Sequence, residues 1–85
     1  MPLIKLYANL RTIASKNELT TTGANLENAL FDLVDQVPAL DGIIFENRQL
    51  RRHIVINING HNTNELDTLI TEQDIIAIFP PIAGG

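Results

Sequence analysis

Apolar and polar positions in this chain follow two periodicities. Short apolar or alternating runs, typical of strands with at least one buried face, cover residues 3–8, 52–58 and 75–79. Residues 18–22 form a weaker strand pattern, and residues 43–45 are a candidate for one further short strand. The pattern therefore predicts a sheet of four or five strands.

One segment has helical spacing instead. Asn25 is a favourable N-cap, because its side-chain oxygen can accept a hydrogen bond from the first turn, and Pro38 ends the helix near Gln36. The apolar positions, spaced three and four residues apart, are Leu26, Ala29, Leu30, Leu33, Val34 and Val37. We therefore predict one main helix whose apolar stripe faces the core.

The remaining segments are predicted to be connections. In chain order they are residues 11–14, residues 39–50 with a turn at Asp41-Gly42, and the turn 71–74. Asn59-Gly60 is the strongest hairpin signal, because both residues tolerate positive φ, yet residues 61–65 are too polar for a clean returning strand. The apolar residues expected to fill space beneath the following loop are Leu66, Leu69 and Ile70.

The order of these elements is strand, strand, helix, further strands and a final strand. One helix covers only one face of such a sheet, so the other face meets water or a partner. The order fits an α+β fold of the β-grasp (ubiquitin-like) type over residues 1–79. In this arrangement the first and last strands lie parallel at the centre of a mixed sheet, and the helix is the crossover.

Alternation in the first and last strands predicts what the open face carries. If the even-numbered residues face the helix, Tyr7 and Phe79 become neighbours on the open face, with Ile75 and Ala77 beside them. An exposed aromatic and apolar cluster on a small domain indicates a binding surface. The alternative is that the strands are rotated the other way, which would bury Lys5.

The end of the chain has an unusual composition, Pro80-Pro81-Ile82-Ala83-Gly84-Gly85. The prolines cannot extend the inner hydrogen bonds of a sheet, and they favour an extended path away from the domain. Gly84 and Gly85 have no Cβ and fit a channel that is too narrow for a side chain. We predict that residues 80–85 form an extended, flexible tail that presents a carboxylate, with a frayed terminus as the alternative.

Composition argues against several other functions. The chain has no cysteine, which excludes thiolate metal sites and side-chain thiol chemistry. His53 and His61 have no partner at ligand spacing, so no metal site is predicted. The net charge of −4 disfavours nucleic-acid binding. Without a signal-peptide pattern or about 18 consecutive apolar residues, we expect a cytoplasmic protein with no membrane association.

Three segments together carry a family resemblance, namely residues 6–11 (LYANLR), 58–60 (ING) and 74–85 (DIIAIFPPIAGG). They resemble the molybdopterin synthase small subunit (MoaD) and, more widely, the ubiquitin-like sulfur carriers of the MoaD/ThiS family. The resemblance implies that a ubiquitin-activating-type enzyme (MoeB-like) uses ATP to adenylate the carboxylate of Gly85, which becomes a thiocarboxylate. The sulfur then enters a pterin precursor of the molybdenum cofactor in the synthase large subunit (MoaE-like). The chain itself binds no cofactor, and its partners supply the catalytic groups.

The resemblance also assigns site residues. Gly84 and Gly85 are the predicted reactive end. The predicted partner-binding residues are Tyr7, Arg11, Phe79, Pro80, Pro81 and Ile82, and the alternative for Arg11 is a solvated surface arginine. In one departure, Gln73-Asp74 stands where the family usually has Gly-Asp before the last strand. If this turn needs positive φ, Gln73 costs about 1 kcal/mol, and otherwise the turn is of another type.

Other functions stay open at this stage. The chain could carry sulfur for thiamine synthesis, tRNA thiolation or cysteine production, or it could be a ubiquitin-like modifier joined to lysines. A plain binding module that uses the open sheet face is a further alternative. The basic cluster of Arg48, Arg51 and Arg52 is either a solvated loop or a contact to an acidic or nucleotide-bearing partner.

Overall fold

The computed structural model describes residues 1–81 of the 85-residue chain. The strands are β1 (Leu3–Leu6), β2 (Glu18–Thr20), β3 (Phe45–Glu46), β4 (Gln49–Leu50), β5 (Val55–Ile58), β6 (His61–Asn62) and β7 (Ile75–Phe79). The α-helices are α1 (Asn9–Ala14), α2 (Leu26–Gln36) and α3 (Asp41–Ile44), and a 3₁₀ turn covers Pro38–Leu40. No helix within residues 1–81 has the length and apolar character that crossing a bilayer requires.

The main sheet has five strands in the order β2-β1-β7-β5-β6. The first and last strands, β1 and β7, are parallel neighbours, and Ile4 lies opposite Ile76 as Leu6 does opposite Ile78. The other three pairings in this sheet are antiparallel. The predicted mixed sheet with a parallel central pair is therefore confirmed. Strands β3 and β4 form a separate hairpin.

Helix α2 covers one face of the sheet. Its N-cap is Asn25, whose Oδ1 accepts a hydrogen bond of 2.8 Å from the backbone N–H of Asn28, and it ends at Gln36 as predicted. The helix residues that are fully buried are Leu26, Ala29, Leu30 and Leu33, and the β1 and β7 residues in the same core are Ile4, Leu6, Ile76 and Ile78. Val34 is only partly buried. The even-numbered strand residues thus face the helix, as the alternation indicated.

The start of the chain differs from the prediction. The first strand ends at Leu6, because Ala8 has a φ of 52° and turns the backbone away from the sheet. The segment that was expected to be a connection is helix α1, which buries Leu10 and Ala14 at a spacing of four residues. The second strand ends at Thr20 rather than at residue 22, since the next residues turn toward helix α2. Helix α1 has only two buried positions, which are too few to give a helical periodicity in the sequence.

Residues 38–50 are also more regular than predicted. Asp41-Gly42 does not form a turn but begins helix α3, and Ile43 and Ile44 are helical rather than extended. Ile44 is fully buried, as is Leu40 four residues before it. This spacing explains why the segment is helical, because a helix places residues four apart on the same face. Phe45 does start a strand, and Asn47 and Arg48, both at positive φ, connect it to β4.

The predicted hairpin at Asn59-Gly60 is confirmed. The φ values are 52° and 91°, and Ile58 pairs directly with His61 on the returning strand, which is two residues long. The strand before it begins at Val55 rather than at residue 52. In the loop that follows, Leu66 and Ile70 pack on the core as expected, but the prediction for Leu69 is wrong, because its side chain is 77% exposed.

A hydrogen-bond network joins this hairpin to the turn before β7. The Asp74 carboxylate accepts hydrogen bonds of 2.8 Å from the backbone N–H of Thr71 and from the Asn59 amide. The Asn59 side-chain oxygen in turn accepts one of 2.9 Å from the N–H of Ile75. Gln73 is not among the residues at positive φ, so the turn is of another type than the family pattern suggested, and no strain arises there.

This network predicts a dependence of stability on pH. The two hydrogen bonds, first that from the Thr71 backbone and then that from Asn59, lower the pKa of Asp74. A carboxylate with a lowered folded-state pKa stabilises the fold above its unfolded pKa of about 4, and this contribution disappears as the pH falls through the folded-state value. We expect Asp74→Asn to lower the urea midpoint at pH 7, and the difference from the wild type to shrink below pH 4. Glu72→Gln is the control, and a difference for Asp74→Asn that stays constant with pH would contradict the assignment.

Candidate functional site

Two aromatic rings lie at the end of the sheet where β1 and β7 both finish. The rings of Tyr7 and Phe79 stack with a centroid distance of 4.5 Å and an interplanar angle of 17°. Phe79 is the last residue of β7, and Tyr7 directly follows β1. Both side chains are half-buried and neither lies beneath helix α2. The structure thus brings together the two aromatic residues that the alternation placed side by side.

The stacked pair belongs to a larger apolar surface on the uncovered face. We define the open-face patch as Tyr7, Val55, Ile75, Ala77 and Phe79. Val55 lies opposite Phe79 in the antiparallel β5–β7 pair, and opposite residues share a face. Val55 and Ile75 are 42% and 40% exposed, respectively. Apolar side chains that stay exposed together on a small domain are typical of a docking surface.

Polar residues border the patch along the same rows of the sheet. Lys5 and Asn57 flank Ala77 on its two sides, in β1 and β5 respectively. Lys5 is in turn opposite Glu18 at the edge strand. Apolar contacts with a polar border are the usual composition of a protein–protein interface.

Arg11 and the two prolines extend this end of the molecule. Arg11 lies in helix α1 and is exposed, and within residues 1–81 its side chain makes no hydrogen bond or ion pair. Pro80 is half-buried and Pro81 is exposed, so the chain turns outward directly after Phe79. Ile82, Gly84 and Gly85 lie outside the described residues, and the roles predicted for them, like the domain boundary at residue 79, stay predictions.

Val55 is the member of the patch that sequence reasoning did not count as a site residue. A signal was present, because Ile54 and Ile56 are the buried positions of this strand and Val55 alternates with them. Only the register of β5 against β7 shows that Val55 adjoins Phe79. Sequence alternation gives the face of a residue, whereas its neighbours depend on strand order.

Within residues 1–81, no group of three or more histidine, cysteine, aspartate or glutamate side chains could hold a metal ion. The open-face patch is apolar and adjoins the start of the tail. The arrangement is suited to docking on another protein beside the point where the tail begins.

Comparison with known proteins decides the family. Residues 4–85 match the model of the ThiS family. The chain belongs to the ThiS family. This match runs through the predicted tail to the last glycine, and it confirms the resemblance to ubiquitin-like sulfur carriers that the tail and strand motifs indicated.

Two solved structures with more than 30% sequence identity confirm the predicted β-grasp fold. The small archaeal modifier protein 1 from Methanosarcina acetivorans is 38% identical, with 99% of this chain and 95% of that chain covered and a TM-score of 0.90. The protein of the same name from Haloferax volcanii is 31% identical, with 99% and 98% covered and a TM-score of 0.88. Among curated proteins, the small archaeal modifier protein 3 of Haloferax volcanii is 24% identical over 88 residues, with 96% of both chains covered.

Proposed function

We propose that this ThiS-family chain is a sulfur carrier whose reactive group is the carboxylate of Gly85. The observation that carries the proposal is the position of the open-face patch. The stacked Tyr7 and Phe79 rings lie where the chain leaves the sheet toward its Gly-Gly end. An enzyme that docks on this patch is therefore in place to receive the tail.

The chemistry follows from the weakness of a carboxylate as an electrophile. An adenylating enzyme joins an oxygen of the Gly85 carboxylate to the α-phosphorus of ATP, and pyrophosphate leaves. Hydrosulfide delivered by the partner's sulfur source then attacks the acyl carbon, and AMP leaves to give a thiocarboxylate. The chain has no cysteine, so this terminal group would be the only thiol-type sulfur that it carries. The catalytic groups belong to the partner, and this chain acts as substrate and carrier.

Each part of the tail has a physical role in this scheme. Pro80 and Pro81 restrict the backbone, which lowers the entropy that is lost when the tail becomes ordered in a partner. Gly84 and Gly85 allow the backbone to approach catalytic groups without a side chain in the way. The docking energy comes from the open-face patch, so the tail itself need not bind tightly.

The destination that we propose for the sulfur is molybdopterin. A synthase large subunit (MoaE-like) would accept the thiocarboxylate tail and transfer sulfur to a pterin precursor. The support for this branch is the sequence resemblance to the MoaD subunit in residues 6–11 and 74–85. Its test is the formation of molybdopterin from the precursor when the thiocarboxylated chain and the large subunit are combined.

A second function is favoured by the identities of the relatives. The proteins that are 38% and 31% identical are both named small archaeal modifier proteins. A modifier needs the same adenylated tail, which a lysine amine attacks in place of sulfur to form an isopeptide bond. The last Lys or Arg in the chain is Arg52, so trypsin would leave residues 53–85 on the acceptor lysine. An Ala83→Arg variant shortens this remnant to Gly-Gly, which makes conjugation in cells detectable by mass spectrometry.

The test of the proposed function is the intact mass of the chain after incubation with its adenylating enzyme, ATP and a sulfur donor. We expect a mass increase that corresponds to the replacement of one oxygen by sulfur. A chain that ends at Ala83 is the control, and it should stay unmodified. Absence of the thiocarboxylate from the full-length chain, with an enzyme that is active on another carrier, would refute the carrier function, and absence of the acyl-adenylate as well would refute the modifier function too. Gly-Gly remnants on lysines without any thiocarboxylate would favour the modifier.

A further inference from the structure

A basic groove lies on the other side of the tail from Tyr7. It has a volume of about 410 Å³, and Pro81, the last described residue, forms part of its wall. The remaining lining residues are Glu46, Gln49, Leu50, Arg51, Arg52 and His53. The groove is at this place because β5 runs antiparallel to β7, so the residues before Val55 meet the residues after Phe79. We infer that this groove binds carboxylate side chains of the adenylating enzyme, an inference that rests on the proposed function.

The two arginines of the groove differ in how they are held. The side chain of Arg51 is held by two contacts. Its Nε donates a hydrogen bond of 2.9 Å to the carbonyl oxygen of Gly42, and its guanidinium lies 3.8 Å from the Glu46 carboxylate. This ion pair is long and exposed, so it neutralises Arg51 only weakly. Arg52 is exposed and, within residues 1–81, makes no side-chain hydrogen bond or ion pair. The groove therefore keeps the charge of Arg52, which forms no ion pair with a carboxylate in the described part of the chain.

The positive charge of the groove contrasts with the negative net charge of the whole chain. The chain has a net charge of −4, yet three of its six Lys and Arg residues lie within residues 48–52. Residues 59–74 contain no Lys or Arg and four carboxylates. Two of these carboxylates, Glu72 and Asp74, lie at the opposite end of the sheet, where the N–H of Leu3 donates to the carbonyl oxygen of Asp74. Such a separation orients the tail end of the molecule toward an acidic partner surface.

The position of the groove favours a protein carboxylate over a nucleotide phosphate. When residues 82–85 extend into an enzyme, the Gly85 carboxylate lies up to roughly 13 Å from Pro81, which is farther than an arginine side chain extends. The enzyme surface around the entrance of its channel, in contrast, must cover Pro81 and therefore the groove. Guanidinium groups bind carboxylates in a planar, two-point geometry. The groove would thus add charge recognition to the apolar docking on the open-face patch.

A groove that binds the enzyme contributes to the KM of the carrier and not to the rate of the chemical step. We expect Arg52→Glu to raise the KM of the carrier in adenylation about tenfold, with kcat within twofold of the wild type, because an exposed charge at an interface acts on association. Arg52→Lys should stay within about threefold of the wild-type KM, and the KM of the wild type should rise with salt more steeply than that of Arg52→Glu. The measurement is pyrophosphate release at varied carrier concentration and two salt concentrations.

A matched control distinguishes an effect of the groove on KM from an effect of net charge alone. Arg52→Gln and Gln73→Glu change the net charge equally, but Gln73 is exposed in the turn at the opposite end of the sheet. We expect a rise in KM for Arg52→Gln alone. An unchanged KM for Arg52→Glu, equal effects of the two matched variants, or a loss of kcat would overturn the inference. The wild-type rate in the same assay reports on the proposed function, so a carrier that is adenylated normally by way of another surface is distinguishable from a chain that is not adenylated.

Discussion

Phe79→Glu is expected to lower the affinity of the chain for its adenylating enzyme by about a hundredfold, because a charge would replace the aromatic anchor at the centre of the docking surface. The ring stacks on Tyr7, and Val55 lies opposite it, so one substitution disrupts the apolar contact around the start of the tail. Phe79 is only half-buried, and the fold is expected to survive the change. The measurement is titration calorimetry with the enzyme, together with circular dichroism of the variant.

Ile75→Glu is the matched control for this experiment. Ile75 lies on the same strand and the same face as Phe79, at the end of the strand that is remote from the tail, and its side chain is 40% exposed. We expect its affinity to fall by no more than about fivefold, since contacts at the rim of an interface contribute less than the central ones. If Phe79→Glu bound as tightly as the wild type, or if both variants lost affinity equally, the docking surface would not be centred on the Tyr7–Phe79 pair.

The parts of the fold that sequence analysis predicted are those with a repeated signal. Helix α2 has six apolar positions in register together with an N-cap and a terminating proline, and β7 is continuously apolar, so both were placed within a residue of their observed ends. Helices α1 and α3 were missed, because each is shorter than two turns and buries only one or two residues, and both contact the 3₁₀ turn at Pro38–Leu40. Their helical state is a product of tertiary packing, which sequence periodicity does not report.

Backbone exceptions account for the other differences. Ala8 and Arg48 adopt φ values of 52° and 62°, which neither residue type favours, so no propensity argument would place a turn at either position. At Arg48 the structure shows a compensating contact, because the guanidinium lies 4.4 Å from the centre of the Phe31 ring. That ring in turn stacks on Phe45 at 4.7 Å. The hairpin between β3 and β4 is thus held to helix α2 by contacts between residues that are distant in sequence.

In the candidate site, too, one feature could be predicted from the sequence and another required the three-dimensional structure. Alternation and the parallel pairing of the first and last strands were sufficient to predict that Tyr7 and Phe79 are neighbours, since both follow from local pattern and topology. The basic groove was visible only as a cluster of arginines in the sequence. Its position beside Pro81 depends on the antiparallel pairing of β5 with β7, so its relation to the tail could be seen only in three dimensions.

The connection between β2 and α2 packs closely against the helix at Gly23. Thr21 is buried, and its hydroxyl donates a hydrogen bond of 2.6 Å to the Asp32 carboxylate, while the N–H of Gly23 donates one of 3.1 Å to the same hydroxyl oxygen. A Cβ on Gly23 would lie 2.6 Å from the Cα of Ala29 and would also meet the Ala29 nitrogen. These are backbone atoms of a helix whose Ala29 is fully buried, so they cannot move aside without repacking the core.

Gly23→Ala is therefore expected to destabilise the domain by about 3 kcal/mol, the upper part of the range for an overpacked core. For a domain of this size, the melting temperature should fall by roughly 15 °C. Gly42→Ala is the matched control, because a Cβ there meets no atom within 4 Å, its φ lies outside the left-handed region, and the residue is in helix α3. Removing a helical glycine should raise stability by about 0.5 kcal/mol. Urea unfolding followed by circular dichroism measures both changes. Equal stability of the two variants would mean that helix α2 does not pack against Gly23 as closely as the structure shows, and the Thr21–Asp32 hydrogen bond would then be in doubt as well.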